Sequence, residues 1–328
     1  MISHLTETNV SAISKELSNL LARNGSLSSG RVLTLVVLAE KGHSREAIRA
    51  AIRASHEHPS RIIVHISHDP LDPDQLDAEI HVGGEAGASE LIILRGWGSA
   101  STPTEALISG LLLPDSPIVV WWPHSVPANP SEDSIGRIAQ RRITDSARAY
   151  DPMAVLEKLS GMYRQGDTDL AWTRLTLWRT QLAALLEQVP YSPVTRVTVW
   201  GSDKSPSVVL LGAWLGWKLG VETHLATDGA DERGLYRVAI EREDGKLIMF
   251  RPGKSLAVIQ TPYGPEQQIA LPVRSLADCI SEELRRLDAD DTYGDVLKQA
   301  LPHVKFVTDT CEPEAGLDPN SFPEVYDA

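Results

Sequence analysis

The residues best placed to hold a small ligand lie in one strand-to-helix turn, Ser202-Asp-Lys-Ser-Pro-Ser207. Ser202, Ser205, Ser207 and the backbone amides at the start of a helix could hold an anion, with Lys204 adding positive charge. A simpler interpretation is that Ser205 caps the helix and Pro206 takes its first position. The turn therefore has two possible roles: phosphate binding, as in a sugar-phosphate-binding enzyme or sensor, and helix capping.

The sequence lacks the motifs of common catalytic and nucleotide-binding sites. It contains no Walker A loop, no G-x-G-x-x-G after a strand, no G-x-S-x-G and no H-E-x-x-H. Six histidines fall between His43 and His81. Their spacings do not converge, since His65 and His68 would point to opposite faces of an extended strand. We expect no catalytic residue, no metal site and no cofactor.

Tryptophan and arginine concentrate in the middle of the chain. All eight tryptophans fall between Trp97 and Trp217, although the chain has only three phenylalanines and seven tyrosines. Trp and Arg are enriched where proteins bind other proteins, so the centre is predicted to bind a partner. The candidate partner-binding residues are Trp122, His124, Arg141, Arg142, Asp145, Trp172 and Arg174.

These candidates also have structural interpretations. Trp121 and Trp122 are adjacent on a predicted strand, so their rings must point to opposite faces, and one is expected in the core. An arginine pair such as Arg141 and Arg142 is usually a solvated face, and Asp145 could form an ion pair with one of them. Trp172 is predicted at the edge of an apolar helix stripe, where it could stack on a guanidinium.

Composition limits the class of protein. The formal charge of −13 argues against general nucleic-acid or anionic-membrane binding, which requires a basic surface. Two cysteines, Cys279 and Cys311, suit a reducing compartment, either as free thiols or as a redox pair. The N-terminal residues do not resemble a signal peptide, and no apolar run is long enough for a membrane span. We expect a cytoplasmic protein that binds neither nucleic acid nor membranes.

Hydrophobic periodicity predicts an N-terminal α/β domain over residues 1–165. The expected strands alternate with helices, which favours a mainly parallel sheet with helices on both faces. Ser44 is expected to cap one of these helices. Residues 124–150 interrupt the alternation and are predicted to form a long ordered loop. The predicted strands are 31–38, 61–66, 78–82, 90–95 and 118–122, and the predicted helices are 8–24, 44–57, 104–113 and 153–163.

A second α/β domain, with an antiparallel extension, is predicted over residues 166–305. A long helix over 169–188 is followed by a strand over 195–200, a buried helix over 206–219 and a strand over 221–225. Short alternating segments follow, and Glu243-Asp-Gly245 indicates a hairpin between two of them. Helices are expected over 276–287 and 293–301. Residues 306–328 contain no basic residue and are predicted to form a flexible acidic tail.

Five segments resemble the OpcA family of glucose-6-phosphate dehydrogenase assembly proteins, in the order found in that family. They are His58-Pro-Ser-Arg61, Pro117–Pro123 with its tryptophan pair, Ile138-Ala-Gln-Arg-Arg-Ile-Thr-Asp145, Asp169-Leu-Ala-Trp-Thr-Arg-Leu-Thr-Leu-Trp-Arg179, and Glu282-Glu-Leu-Arg-Arg-Leu-Asp288 with Tyr293. One departure is Leu177, where the family commonly has proline. Leucine there is expected to let the helix continue.

The resemblance implies a non-catalytic partner that binds glucose-6-phosphate dehydrogenase and promotes its assembly or allosterically activates it. Such a protein would direct carbon into the oxidative pentose phosphate pathway and raise the supply of NADPH. The residues themselves indicate only a centre rich in Trp and Arg without a catalytic constellation.

Overall fold

The computed structural model describes residues 1–24, 32–83, 90–188, 190–227, 234–304 and 306–309. Contacts along the chain define two compact units. The first consists of Met1–Tyr150, Met162–Leu170 and Ser275–Asp290, and the second of Asp151–Gly161, Ala171–Arg274 and the described residues from Asp291 onward. The sequence predicts one domain boundary, at residue 165. The two units differ from this division chiefly because residues 275–290, which follow the boundary, belong to the first unit. The boundary at 165 stays a prediction.

The elements are numbered in chain order. The strands are β1 (Ile2–Leu5), β2 (Leu33–Glu40), β3 (Ser60–Ser67), β4 (Gln75–Val82), β5 (Glu90–Trp97), β6 (Ile118–Trp121), β7 (Arg141–Thr144), β8 (Asp167–Asp169), β9 (Val194–Trp200), β10 (Thr223–Ala226), β11 (Arg237–Arg242), β12 (Gly245–Phe250), β13 (Leu256–Gln260), β14 (Gln267–Ala270) and β15 (Phe306–Asp309). The helices are α1 (Val10–Asn24), α2 (Ser44–Glu57), α3 (Glu105–Ser109), α4 (Pro152–Met162), α5 (Leu170–Thr173), α6 (Thr176–Leu186), α7 (Pro206–Leu219), α8 (Leu276–Arg285) and α9 (Asp291–Asp295), which a π-helical turn at Val296–Ala300 extends.

The first unit contains an eight-stranded sheet in the order β1-β4-β5-β3-β2-β6-β7-β8. The six strands from β5 to β8 in this order are parallel, and β4 and β1 add an antiparallel edge. The chain leaves β2 through α2 to reach β3 on one side, and β6 later pairs with β2 on the other side. The carboxyl ends of β2 and β6 therefore form a topological switch point, where open α/β sheets commonly bind ligands.

Helices cover both faces of this sheet, as the sequence predicts. Successive residues of a strand point to opposite faces, and β2 shows this alternation. Leu35 packs in one cluster with the alanines of α2 and with α8, whereas Val36 packs in another with α1 and α3. The adjacent Trp121 and Trp122 likewise divide between the two clusters, and both are buried.

The second unit contains a seven-stranded sheet in the order β14-β13-β12-β11-β9-β10-β15. Strands β9, β10 and β15 are parallel, and the remaining pairs are antiparallel, which confirms the predicted antiparallel extension. The predicted hairpin joins β11 and β12, with Gly245 at φ +135°. Helix α7 is buried over most of its length. Among the described residues, no helix is long and apolar enough to cross a bilayer.

The prediction of one continuous helix over 169–188 was wrong. Residues 167–169 form β8, and a break at 174–175 separates α5 from α6. The Thr173 carbonyl accepts hydrogen bonds from the Arg274 guanidinium at 2.9 Å and the Thr176 hydroxyl at 3.0 Å. Because these donors satisfy a carbonyl that would otherwise bond within the helix, the break is accommodated without a proline at position 177.

The predicted loop over 124–150 contains a strand that sequence patterning missed. Arg141–Thr144 forms β7 and pairs in parallel with β6 and β8. Residues 306–309, assigned to the acidic tail, also form a strand, β15, beside β10. The rest of the predicted tail, including Cys311, lies outside the described residues.

Candidate functional site

Arg141, a predicted partner-binding residue, lies inside the first unit with only 3% of its surface exposed. Its guanidinium pairs with the Glu283 carboxylate at 2.5 Å. It also donates hydrogen bonds to the Arg286 carbonyl at 3.1 Å and to the Asp288 carbonyl. These bonds tie β7 to the end of α8, more than a hundred residues later in the chain.

Arg142 is also buried, and its partners are different. It forms an ion pair with Asp167 on the neighbouring strand β8. It donates further hydrogen bonds to the carbonyls of Ala139 at 3.0 Å and Gln165 at 2.6 Å. The Asp167 carboxylate in turn accepts from the Arg164 amide at 2.7 Å. Arg142 therefore holds together the two loops that lead into β7 and β8.

A second buried carboxylate, Asp169, organises the turn that follows β7. It accepts hydrogen bonds from the Thr144 hydroxyl at 2.6 Å and from the amide and hydroxyl of Ser146 at 2.9 and 2.8 Å. Asp145, between these residues, is fully buried. The carboxylates that pair with the two arginines are Glu283 and Asp167, so the expected pairing with Asp145 was wrong.

These positions contradict an exposed docking face built from Trp122, Arg141, Arg142 and Asp145. All four side chains are buried. The two arginines lie on an interior strand and pair with buried carboxylates, and Trp122 packs in the core with α1 and α3. The Arg-Arg pair resembled a solvated surface because its partners, Asp167 and Glu283, are distant in sequence. Arg141 and Arg142 hold this side of the sheet together through their buried ion pairs.

Trp172 and Arg174 lie in the second unit. Trp172 is fully buried, its ring lies 5.9 Å from that of Tyr293, and the Arg179 guanidinium lies 3.8 Å above it. The predicted stacking on a guanidinium is therefore confirmed, with Arg179 as the cation. Arg174 is partly exposed. Its role in docking stays a prediction.

His124 is the other predicted partner-binding residue with an accessible side chain. It follows β6, and its ring lies 4.0 Å from that of His43, which follows β2. The two residues meet because β2 and β6 are parallel neighbours and end at the same edge. His43 is the N-cap residue of α2 and makes no side-chain capping bond, so the predicted capping by Ser44 was wrong.

The turn at Ser202–Ser207 is held by hydrogen bonds within the turn and to α5. The Ser202 hydroxyl accepts from the Lys204 amide at 3.2 Å, and the Ser207 hydroxyl donates to the Ala171 carbonyl at 2.8 Å. Ser205 is at the N-cap and Pro206 at the first helical position, as the capping interpretation predicts, but the Ser205 side chain makes no capping bond. Anion binding at this turn stays a prediction.

The histidines of the first unit serve different structural roles. His65 is buried in β3, and its Nε2 lies 3.0 Å from the Ala100 carbonyl. Burial lowers the pKa of His65 to about 4, with a further contribution from His68. His68 stacks on Trp97 at 4.2 Å, and its pKa is also lowered, by burial and by Lys41 and Arg95. Within the described ranges, no three His, Cys, Asp or Glu side chains lie close enough to hold a metal ion.

Another buried ion pair escaped the sequence analysis. Arg61 on β3 pairs with Glu90 on β5 at 2.5 Å and also donates to the carbonyls of Leu111 and Leu112 at 2.9 and 3.1 Å. In the sequence, the His58-Pro-Ser-Arg61 segment gives only a family resemblance. The structure shows that its arginine fixes the start of two central strands and the end of the segment after α3.

Two family models match the chain. One describes the N-terminal domain of the glucose-6-phosphate dehydrogenase subunit and matches residues 30–161. The other describes the C-terminal domain of that same subunit and matches residues 165–297. Together the two matches span most of the chain.

Solved structures similar to the chain are distant. An inositol dehydrogenase homolog complexed with NADH and myo-inositol, from Azotobacter vinelandii, has 9% sequence identity and a TM-score of 0.43, covering 86% of this chain and 92% of that one. An oxidoreductase from Pseudomonas syringae has 11% identity and a TM-score of 0.39, covering 84% and 92%. A search of curated proteins found no match.

Proposed function

We propose that this chain, which belongs to the OpcA family of glucose-6-phosphate dehydrogenase assembly proteins, is a non-catalytic partner that binds the dehydrogenase and promotes its assembly or activity. The observation that carries the proposal is the match of both halves of the chain to the two domains of a dehydrogenase subunit. In the cytoplasm, such a partner would direct carbon into the oxidative pentose phosphate pathway and raise the supply of NADPH.

Activation of this kind requires differential binding. A partner shifts an equilibrium between inactive and active dehydrogenase only by the difference between its affinities for the two states. A tenfold shift requires about 1.4 kcal/mol of that difference.

The docking surface must be built from exposed residues. Of the seven predicted partner-binding residues, His124 and Arg174 retain accessible side chains, whereas the other five are buried. The substitutions Arg141→Glu and Arg142→Glu are therefore unsuitable for testing docking, since they would place unpaired negative charge in the interior. We place the docking test at Arg174.

The experiment combines the purified chain with the dehydrogenase of the same organism and measures NADPH production against chain concentration. We expect no turnover by the chain alone and a saturable change in the rate or substrate affinity of the dehydrogenase. Arg174→Glu should weaken this effect, whereas Lys15→Glu, an exposed charge reversal on α1, should not. Unchanged kinetics without co-elution would reject the proposal, and co-elution with unchanged kinetics would reduce it to a scaffold.

A further inference from the structure

A cavity of about 360 Å³ opens at the switch point of the first sheet. Gly42 and His43, which follow β2, form one side, and Pro123 and His124, which follow β6, form the other. Arg148, after β7, and Leu276, at the start of α8, complete the lining together with the first turns of α2. The volume is within the usual range for small-ligand sites, about 300–1,000 Å³.

The lining is strongly basic in a chain whose net charge is −13. Arg45, Arg49 and Arg148 line the cavity with one carboxylate, Glu46. Glu46 pairs with Arg148 at the surface. Arg45 and Arg49 are exposed, and neither forms an ion pair with a described residue, since the salt bridge at this site joins Glu46 to Arg148. The cavity therefore retains two guanidiniums whose charge is not neutralised by the described part of the chain.

The spacing of these two arginines places them side by side. Residues four apart lie on the same face of a helix, so Arg45 and Arg49 are neighbours, and like charges at this spacing destabilise a helix by a few tenths of a kcal/mol. An anion between them would remove that repulsion. Arginine binds phosphate through paired N–H groups, which gives short, charge-assisted hydrogen bonds.

The helix itself adds to the positive potential. Helix α2 has 14 residues, and its N-cap residue His43 makes no side-chain capping bond. The amides of a first helical turn lack partners within the helix and carry partial positive charge. Gly42, at φ +92°, lets the chain turn from β2 into this helix. The amides and the two arginines thus belong to the same end of α2.

From this cavity and its basic lining we propose that the first unit binds a small metabolite bearing a phosphate monoester. The phosphate lies against the start of α2, between Arg45 and Arg49. Ala47, Pro123 and Leu276 form a less polar wall for the carbon skeleton, and the His43 and His124 rings lie at the edge of the site. This inference does not rest on binding to the dehydrogenase.

The test uses the full chain alone, in phosphate-free buffer, with calorimetric titration and thermal melting. The probes are glucose 6-phosphate and inorganic phosphate, with glucose as the unphosphorylated control. We expect saturable binding of glucose 6-phosphate, a rise in melting temperature on its addition, weaker binding of inorganic phosphate and none of glucose. Binding should weaken as salt is raised.

The double variant Arg45→Gln with Arg49→Gln should weaken glucose 6-phosphate binding at least about tenfold, since two charge-assisted contacts are lost. The matched control is Arg53→Gln, an exposed arginine further along the same helix, which should bind as the wild type does. The unliganded double variant should melt no lower than the wild type, because only exposed like charges are removed.

Two results would overturn the proposal. One is the absence of saturable binding of both phosphate probes to the wild type, and the other is equal binding by the wild type and the double variant. If neither form binds phosphate but the double variant no longer activates the dehydrogenase, the cavity is a docking pocket for an acidic segment of that enzyme, and the phosphate proposal fails. The binding assays contain no dehydrogenase, so their failure is separate from failure of the proposed function.

Discussion

We expect the buried guanidinium of Arg141 to contribute to the free energy of unfolding more than to the binding of a partner. Arg141→Gln would remove the guanidinium that lies 2.5 Å from the buried Glu283 carboxylate, and breaking a buried ion pair from one side typically costs about 3–5 kcal/mol. Adding Glu283→Gln should recover part of that loss, because no unpaired charge then remains. Urea unfolding of both variants measures the effect. The exposed neighbour Arg285→Gln should change stability by less than about 0.5 kcal/mol, and an equally small change in Arg141→Gln would contradict the assignment.

The lowered pKa of His65 predicts how the free energy of unfolding changes with pH. A carbonyl can only accept, so Nε2 of the neutral ring carries its proton towards Ala100, and protonating the other nitrogen would place a charge in the interior. The pKa is about 4 in the folded chain, against about 6.5 in an unfolded one. Between these values the unfolded state binds more protons, so this contribution to stability is complete above pH 6.5 and is lost as the pH falls towards 4.

The matching measurement is urea unfolding at several pH values for the wild type and for His65→Gln, whose amide can still donate to the Ala100 carbonyl. The histidine contributes at most about 3 kcal/mol over this window. The variant should therefore lose less stability than the wild type between pH 6.5 and pH 4. Parallel curves for the two proteins would show that His65 does not titrate as proposed.

At the scale of elements, local periodicity predicted the long central strands and the longer helices, because a buried strand or an amphipathic helix repeats its pattern over many residues. It could not predict β7 and β8. These strands have four and three residues, and their polar side chains are buried only because Arg142 meets Asp167 and Thr144 meets Asp169. The break between α5 and α6 likewise depends on Arg274, a hundred residues later. Pairing between distant polar residues leaves no local signal.

The loop before β7 packs closely against neighbouring backbone at Gly136, which can be tested by substitution. A Cβ on Gly136 would lie 1.8 Å from the Pro130 carbonyl oxygen, and backbone cannot move aside as a side chain can. Gly136→Ala should therefore destabilise the chain by about 2–4 kcal/mol. The control is Gly161→Ala on α4, where a Cβ meets nothing within 4 Å and the substitution should be neutral or stabilise the helix by up to about 1 kcal/mol. Similar melting temperatures for the two variants would contradict the predicted clash.

At the scale of the whole molecule, residues 275–290 belong to the first unit, although more than a hundred residues of the second unit precede them in the chain. Helix α8 packs against α2, and the Ser281 hydroxyl donates to the Glu57 carboxylate at 2.6 Å. The sequence predicted a helix over 276–287, and in the structure α8 begins with a capping box formed by Ser275 and Asp278. Which unit it joins depends on contacts with residues more than two hundred positions earlier, and hydrophobic periodicity does not encode the identity of the partner helix.

Because residues 275–290 belong to the first unit, we predict that a fragment of residues 1–170 does not fold stably by itself. Leu276, Ile280 and Leu284 are buried in the core beside α2, and burying each contributes about 2 kcal/mol, a sum comparable with the whole stability of many domains, about 5–15 kcal/mol. A fragment of residues 1–170 should therefore melt non-cooperatively or aggregate. The same fragment joined to residues 275–290 by a glycine-serine linker should unfold cooperatively, as circular dichroism would show. The linked fragment with these three residues replaced by serine should behave like the shorter one, and cooperative unfolding of residues 1–170 alone at the same temperature as the linked fragment would show that α8 is dispensable.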